Sequence, residues 1–299
     1  MRIALVTNTA AGGGIDPEPL LEAMRRHGAE VELFGCQPDE LARIAAGPAP
    51  DRIAVAGGDG TIGAAAETAG RLGVPLAAIP AGTANDYARS NGLPEDPVEA
   101  AELAATGQAT RSLELGRLAD GRPFVNVASA GLAAEAARYA SPFKRLLGPL
   151  AYGVGALRAA VTESPLDCTI RTDGETAFHG GAWQVIVSVS GAFGGGSAVG
   201  TADPGDGVLE VTVIPAGSRL ALALRAWGLR RGTITEQRAV ENNRGRVVEV
   251  SLPAGTELNV DGEIRDAGLE RVTVENRAYE LVVPDGASST PSRPRRLTS

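Results

Sequence analysis

Residues 53–89 read IAVAGGDGTIGAAAETAGRLGVPLAAIPAGTANDYAR, and the fold can be read outward from them. Ile53 to Ala56 is a short apolar run, the pattern of a strand buried on both faces. Gly57-Gly58-Asp59-Gly60-Thr61 follows, and an Ala-rich helix begins. A second apolar run, Pro75 to Ile79, leads into Pro80-Ala81-Gly82-Thr83-Ala84-Asn85-Asp86. Two strand–loop–helix units therefore stand in succession, each with a turn of small and polar residues at the carboxyl end of its strand. In open parallel sheets that is where ligands bind. Glycine lets the backbone approach a phosphate closely, and a helix N-terminus offers free N–H groups and the positive end of its dipole. A purely structural turn has no need of charge, so Asp59 and Asp86 point to a metal, a hydroxyl or a proton.

Upstream, Arg2–Thr7 reads as a buried strand ending in Asn8-Thr9-Ala10-Ala11-Gly12-Gly13-Gly14. A helix is predicted over Pro17–His27, with Asp16 as N-cap, Pro17 at the first helical position and Gly28 closing it. Ala29–Phe34 reads as a strand, Pro38–Ala46 and Pro97–Gly107 as helices. The alternation predicts an α/β domain with a parallel sheet. From Arg111 onward strands dominate: Arg111–Leu118, Pro123–Val127, Asp167–Thr172, Ala182–Ser190, Val208–Ile214, Val247–Leu252, Glu257–Val260 and Arg271–Val283. Helices are expected at Leu146–Ala160 and Ser218–Arg231. The prediction is an α/β domain over 1–120, an all-β sandwich over 121–283 and a disordered tail over 284–299, rich in Pro, Ser and Arg.

A chain of 299 residues is long enough for two such domains. The net charge of −8 argues against nucleic acid as a partner. Lys144 is the only lysine, so phosphate contacts fall to Arg, to backbone N–H groups or to Lys144. Cys36 and Cys168 stand alone, without CxxC, which reads as a cytoplasmic protein. No signal peptide is read at Met1, and no apolar run approaches the roughly 20 residues of a membrane span. Any membrane contact would thus be peripheral, at the membrane surface. The sequence is silent on oligomeric state and leaves a homodimer open.

GGDGT at 57–61 together with PAGTANDYAR at 80–89 resembles the catalytic domain of the diacylglycerol and sphingosine kinase family of lipid kinases, of the bacterial diacylglycerol kinase type. The wider superfamily, which includes NAD kinases, shares only the GGDGT element. The resemblance implies an NAD kinase/diacylglycerol kinase-like α/β domain, with ATP and Mg²⁺ as cofactors. It implies that Asn8, Thr9, Ala10 and Gly12 form an NPxSG-like nucleotide loop, with Thr9 where proline is usual and Ile15 and Asp16 where a basic residue often follows. It implies ATP contacts from Gly57, Gly58, Gly60, Thr61, Ile62 and Thr83, with Asp59 acting through metal and water. Asn85 and Asp86 read as loop braces, bonding to backbone N–H groups.

Further along, RLLGPLAY at 145–152 resembles the family's lipid-kinase helix, where Lys144 and Arg145 could neutralise headgroup charge. Ala133 stands where members often carry an acid. Gly194-Gly195-Gly196 and TADPGDGVL at 201–209 resemble the family's magnesium element. That implies Asp206 as side-chain ligand, with the carbonyls of Asp203 and Val208 as companions. Asp206-Gly207 also reads as a β-turn, and both can hold. Asn259-Val260-Asp261-Gly262-Glu263 alone reads as a hairpin turn. Beside the other motifs it matches NxDGE, whose glutamate deprotonates the lipid hydroxyl, so Glu263 joins Asp59 as the implied catalytic pair. The implied activity is transfer of the ATP γ-phosphate to a neutral lipid such as diacylglycerol. The alternatives are an NAD or polyol kinase of the same superfamily, or a non-catalytic lipid- or nucleotide-binding module, which the departures at Thr9, Ile15 and Ala133 leave open.

Overall fold

A computed structural model of the protein describes residues 1–7, 15–82, 84–132, 164–193, 197–199, 202–218, 233–237, 240–266 and 268–286. Two compact units divide the chain: Met1–Leu115 joined by the segment that begins at Asn276, and Gly116–Glu275.

The first unit alternates β1 (Arg2–Thr7), α1 (Glu18–Arg26), β2 (Glu30–Gly35), α2 (Pro38–Ala46), β3 (Arg52–Gly57), α3 (Asp59–Leu72), β4 (Leu76–Pro80), α4 (Asp86–Ser90) and α5 (Pro97–Thr106) before entering β5 (Thr110–Arg117). β1, β3 and β4 are buried along almost their whole lengths. They read as unbroken apolar runs because helices cover both faces of a parallel sheet. The strands pair in parallel in the order β2-β1-β3-β4. α1 and α5 pack together on one face, where Leu20, Met24, Ala101 and Ala104 meet Ile3, Leu5, Ala54 and Ile79. α2 packs on α3, and the reversal of strand order after β2 sends this pair to the other face. That reversal makes a topological switch point between β1 and β3, with the residues after Thr7 and Gly57 at its carboxyl edge. The ends of α1 and α5 are closed by side chains. Asp16 Oδ1 accepts from the Glu18 N–H at 3.1 Å, and Asp96 Oδ1 from Val98 and Glu99 at 2.8 and 3.0 Å. The buried Arg52 guanidinium donates to the Ala104 and Gly107 carbonyls at the other end of α5.

The second unit continues with β6 (Pro123–Phe124), β7 (Val127–Gly131), β8 (Leu166–Thr172), β9 (Glu175–Ser188), the short pair β10 (Ala192–Phe193) and β11 (Ser197–Ala198), β12 (Leu209–Pro215), β13 (Glu241–Gly245), β14 (Val247–Ser251), β15 (Leu258–Val260), β16 (Glu263–Arg265) and β17 (Arg271–Val282). β9 serves two layers. Its first half pairs with β8, while its second half lies between β7 and β12. One layer then runs β13-β12-β9-β7-β15-β16 and the other β9-β8-β14-β17. Val185, Val187, Val211, Val213 and Ala128 of the first layer share one core with Cys168, Ile170, Val248, Val250 and Val272 of the second. This is the sandwich expected from the strand-rich pattern. The end of β17 pairs in parallel with β4 at Leu281 and Leu76, and the Tyr279 and Tyr87 hydroxyls lie 2.8 Å apart. Residues 276–283 therefore lie with the first unit, not with the strands before them.

The pairing recruits β13, Glu-Asn-Asn-Arg-Gly, which has no apolar alternation to announce it and pairs with β12. The helix expected at Leu146–Ala160, residues 219–231 of the next, and the tail beyond Gly286 lie outside the described residues. Among the described residues no helix is long and apolar enough to cross a membrane.

Candidate functional site

β3 and β4 keep register to their last residues, with Gly57 opposite Pro80. The Ala81 N–H donates to the Gly57 carbonyl at 3.1 Å, so the two glycine turns leave the sheet side by side. They then touch. A Cβ on Gly82 would lie 2.7 Å from the Gly58 Cα, and backbone cannot swing aside as a flexible side chain can. Asn85 turns the chain back in the left-handed region, at φ 51°, and its Oδ1 accepts from the Gly82 N–H at 2.8 Å. Asn85 is thus a loop brace of the expected kind. Asp86 pairs with Arg89 at 3.0 Å, and Arg89 also donates to the Ala84 carbonyl.

Asp59 is the first residue of α3, and Gly58 at the N-cap supplies no side-chain cap. The first-turn N–H groups of a 14-residue helix thus stand at the glycine turn with no capping side chain. The Asp59 side chain looks the other way. Its Oδ1 accepts from the Tyr87 N–H at 3.0 Å and its Oδ2 from the Asp86 N–H at 3.2 Å. α4 has no cap of its own, so Asp59 caps it from the neighbouring loop. Burial is the main influence on this acid and lifts it to about 6; the Tyr87 N–H pulls it down and the Asp86 charge pushes it up. Asp59 therefore straps the second loop to the first. The Thr61 N–H donates to the Gly58 carbonyl at 3.0 Å, and the Ile62 side chain is taken up by the interior. Asn8, Thr9, Ala10, Gly12 and Thr83 lie outside the described residues.

In the second unit Asn259–Glu263 is a hairpin. Asp261 and Gly262 form its two-residue turn at φ 47° and 88°, the type I′ geometry that an Asp-Gly pair favours. The turn is fastened by its own aspartate. The Asp261 carboxylate accepts from the N–H groups of Val125 at 2.8 Å and of Asn126 and Val127 at 3.0 Å each. The Asp261 N–H returns a bond to the Val127 carbonyl at 3.0 Å. Charge-assisted bonds of this kind hold a turn firmly. Glu263 follows on β16, exposed, and pairs with Arg265 two residues on, which a strand places on the same face. The sequence reading missed the bracing role of Asp261 and the partnership of Arg265; the Asp-Gly pair announces the turn, whereas the N–H groups that fasten it belong to residues 125–127, far away along the chain.

The Asp206 loop opens with a β-turn that spans Asp203–Asp206, and the Asp206 side chain then bridges Asp206-Gly207. Asp203 Oδ1 accepts from the Gly205 N–H and the Asp203 carbonyl from the Asp206 N–H, each at 3.2 Å. Asp206 Oδ1 accepts from the Val208 N–H at 3.1 Å, completing a turn. The other carboxylate oxygen, Oδ2, holds the Arg244 guanidinium. One carboxylate with the neighbouring carbonyls of Asp203 and Val208 is an all-oxygen set, which suits a hard cation that keeps several of its waters. Among the described residues no three His, Cys, Asp or Glu side chains are grouped to hold a metal, so such an ion would rest on Asp206, backbone oxygens and water. Ala133, Lys144, Arg145, residues 194–196 and Thr201 lie outside the described residues.

A diacylglycerol kinase catalytic domain matches residues 2–118, and a YegS C-terminal NAD kinase beta sandwich-like domain matches residues 126–283. A diacylglycerol kinase of Mycobacterium tuberculosis is 28% identical over 275 residues, covering 88% of each chain. The "Probable lipid kinase YegS-like" protein of Pseudomonas putida is 31% identical over 244 residues, covering 79% of this chain and 78% of its own. A crystal structure of a diacylglycerol kinase from Bacillus anthracis superposes with a TM-score of 0.74 at 19% identity, over 96% of this chain and 98% of that one. The last likeness concerns the fold.

Proposed function

The chain belongs to the lipid kinase family that joins a diacylglycerol kinase catalytic domain to a YegS-type C-terminal domain, and on that premise we propose that it transfers the γ-phosphate of ATP to a hydroxyl of a neutral lipid, diacylglycerol first. The observation that carries this reading is the contact of the two glycine turns at the strand ends, locked by Asp59 and Asn85 beside the N-terminus of α3. A phosphate bound there meets backbone N–H groups and a helix dipole, which act on its charge without side-chain reorganisation.

In this reading the Gly57–Thr61 backbone receives phosphate oxygens, joined by Asn8, Thr9, Ala10, Gly12 and Thr83. Asp59 acts first as the strap that keeps the second loop in place. Glu263 accepts the proton of the lipid hydroxyl as its oxygen bonds to the γ-phosphorus; the bond from phosphorus to the β,γ-bridging oxygen breaks, and ADP leaves. Phosphoryl transfer depends mainly on positioning and charge stabilisation, so a surface carboxylate held by a fastened hairpin suffices as base. Asp206, with the carbonyls of Asp203 and Val208, would hold Mg²⁺, which would supply fixed positive charge to its own loop. The lipid is met at the membrane surface by peripheral contact.

The test presents diacylglycerol, other lipid alcohols, NAD and polyols in turn, the lipids in mixed micelles, with labelled ATP and Mg²⁺. Labelled phosphatidic acid supports the reading. Phosphorylation of NAD without lipid turnover would assign the chain to the sister activity. ATP affinity without turnover on any acceptor would make it a binding module.

A further inference from the structure

We propose that Arg244 is a built-in competitor for a divalent cation at Asp206, so that the 203–208 loop alternates between an internal ion pair and a cation-bound state. This rests on the reading of Asp206 as a cation ligand. Arg244 lies on β13 directly opposite Glu210 of β12. Opposed residues of an antiparallel pair share a face, and from there the guanidinium reaches two carboxylates. Its Nη2 engages Asp206 Oδ2, and its Nε stands 3.4 Å from Glu210 Oε1. The Glu210 side chain is 7% exposed and that of Arg244 53%. One edge of the guanidinium is thus set against a buried acid, while the other reaches over an open loop.

Asp206 Oδ1 is committed to the Val208 N–H. Oδ2 is therefore the oxygen that an incoming cation would take, and it is the oxygen that Arg244 holds. A guanidinium N–H and a metal ion seek the same outward lone pairs, and two positive groups a few ångströms apart repel. The two states exclude each other. The exchange asks little of the fold, because the turn is held through Oδ1 and the backbone. Arg244 can release Asp206 and keep its contact with Glu210.

The sign of the outcome is unusual. Removing a side chain that contacts a metal-binding residue would ordinarily loosen the site, whereas removing a competitor tightens it. Mg²⁺ and Mn²⁺ are titrated separately into the full-length chain by calorimetry, with melting temperature as the second readout, for wild type, Arg244→Gln, Arg244→Lys and Asp206→Asn. Arg244→Gln is expected to bind on the order of tenfold more tightly, from the loss of a competitor and of a nearby positive charge. Its melting temperature should rise more with Mg²⁺ than that of wild type. Arg244→Lys keeps the charge without the planar fork and should fall between them. Asp206→Asn should lose the response. Equal or weaker affinity in both Arg244 variants overturns the proposal, as does a response that survives Asp206→Asn. The titration needs neither ATP nor lipid, so failure of the lipid kinase reading would leave it intact. Absence of cation binding in wild type and both Arg244 variants would sink the competitor without touching lipid turnover.

Discussion

Replacing Asp59 by Asn removes one charge and one acceptor while keeping the shape. In the wild type both carboxylate oxygens are used, by the Tyr87 N–H at 3.0 Å and the Asp86 N–H at 3.2 Å. An amide has a single acceptor oxygen. If it stays with Tyr87, its NH₂ faces the Asp86 N–H, donor to donor, and a buried donor is orphaned. That loss is about 2–3 kcal/mol. A second term opposes it. Burial lifts the Asp59 carboxyl from 3.8 to about 6, so the ionised form is disfavoured in the native protein. The folded value lies above the unfolded one, and the native state therefore binds the proton more tightly. The contribution of Asp59 to stability is greatest below about pH 4 and is lost as the pH rises through about 6. With these two values the loss between pH 4.5 and 7.5 is about 2 kcal/mol, and Asn, which does not titrate, cannot show it. Asp59→Asn should therefore be more destabilising at pH 4.5 than at pH 7.5, by about 2 kcal/mol. Other titrating groups cancel in the difference between the two proteins. Urea unfolding at both pH values measures it. A difference independent of pH, or one that grows toward pH 7.5, would refute the account of a buried carboxyl whose ionised form is disfavoured. Turnover should fall on the order of 10²-fold even at pH 7.5, where the fold is least affected, because the second loop is no longer strapped to the first.

Gly82→Ala places a Cβ 2.7 Å from the Gly58 Cα, which should push the two turns apart, cost about 1–3 kcal/mol and weaken ATP binding; unchanged ATP affinity by calorimetry would show that the loop contact is incidental. Glu263→Gln should lower kcat roughly 10²- to 10⁴-fold while leaving ATP affinity alone, since an amide keeps the shape but has no useful basicity. A wild-type kcat for that variant would reduce Asn259–Glu263 to a hairpin, and a collapse of ATP affinity would move Glu263 to the nucleotide site. Asp261→Asn forfeits part of a carboxylate shared by three N–H groups, so melting should show a loss of about 2 kcal/mol together with a fall in kcat at unchanged KM for ATP. A stability loss with intact kcat would make Asp261 purely structural.

Much of this protein was legible along the chain because its signals are local. Unbroken apolar runs at Arg2–Thr7, Ile53–Ala56 and Pro75–Ile79 announced strands buried on both faces, and the glycine turns after them announced a parallel sheet with its loops at the carboxyl edge. Asp16 before Pro17 announced a helix start, and Asp261-Gly262 a hairpin turn. In each case the physical cause lies within a few residues: a φ value, a cap, a period of two or of 3.6. The tertiary structure decided what those elements do to one another. It gave Asp59 to the N-terminus of α4, Asp261 to the start of β7, and Arg244 to both Asp206 and Glu210. It made a strand of Glu241–Gly245, whose polar residues carry no pattern, because β12 offered an unpaired edge. It also returned the end of β17 to the first unit, where Leu281 lies beside Leu76. A side chain's partner across the fold leaves no trace in its neighbours along the chain; burial and hydrogen-bond demand choose it only once the strands have brought distant residues within 3 Å of each other.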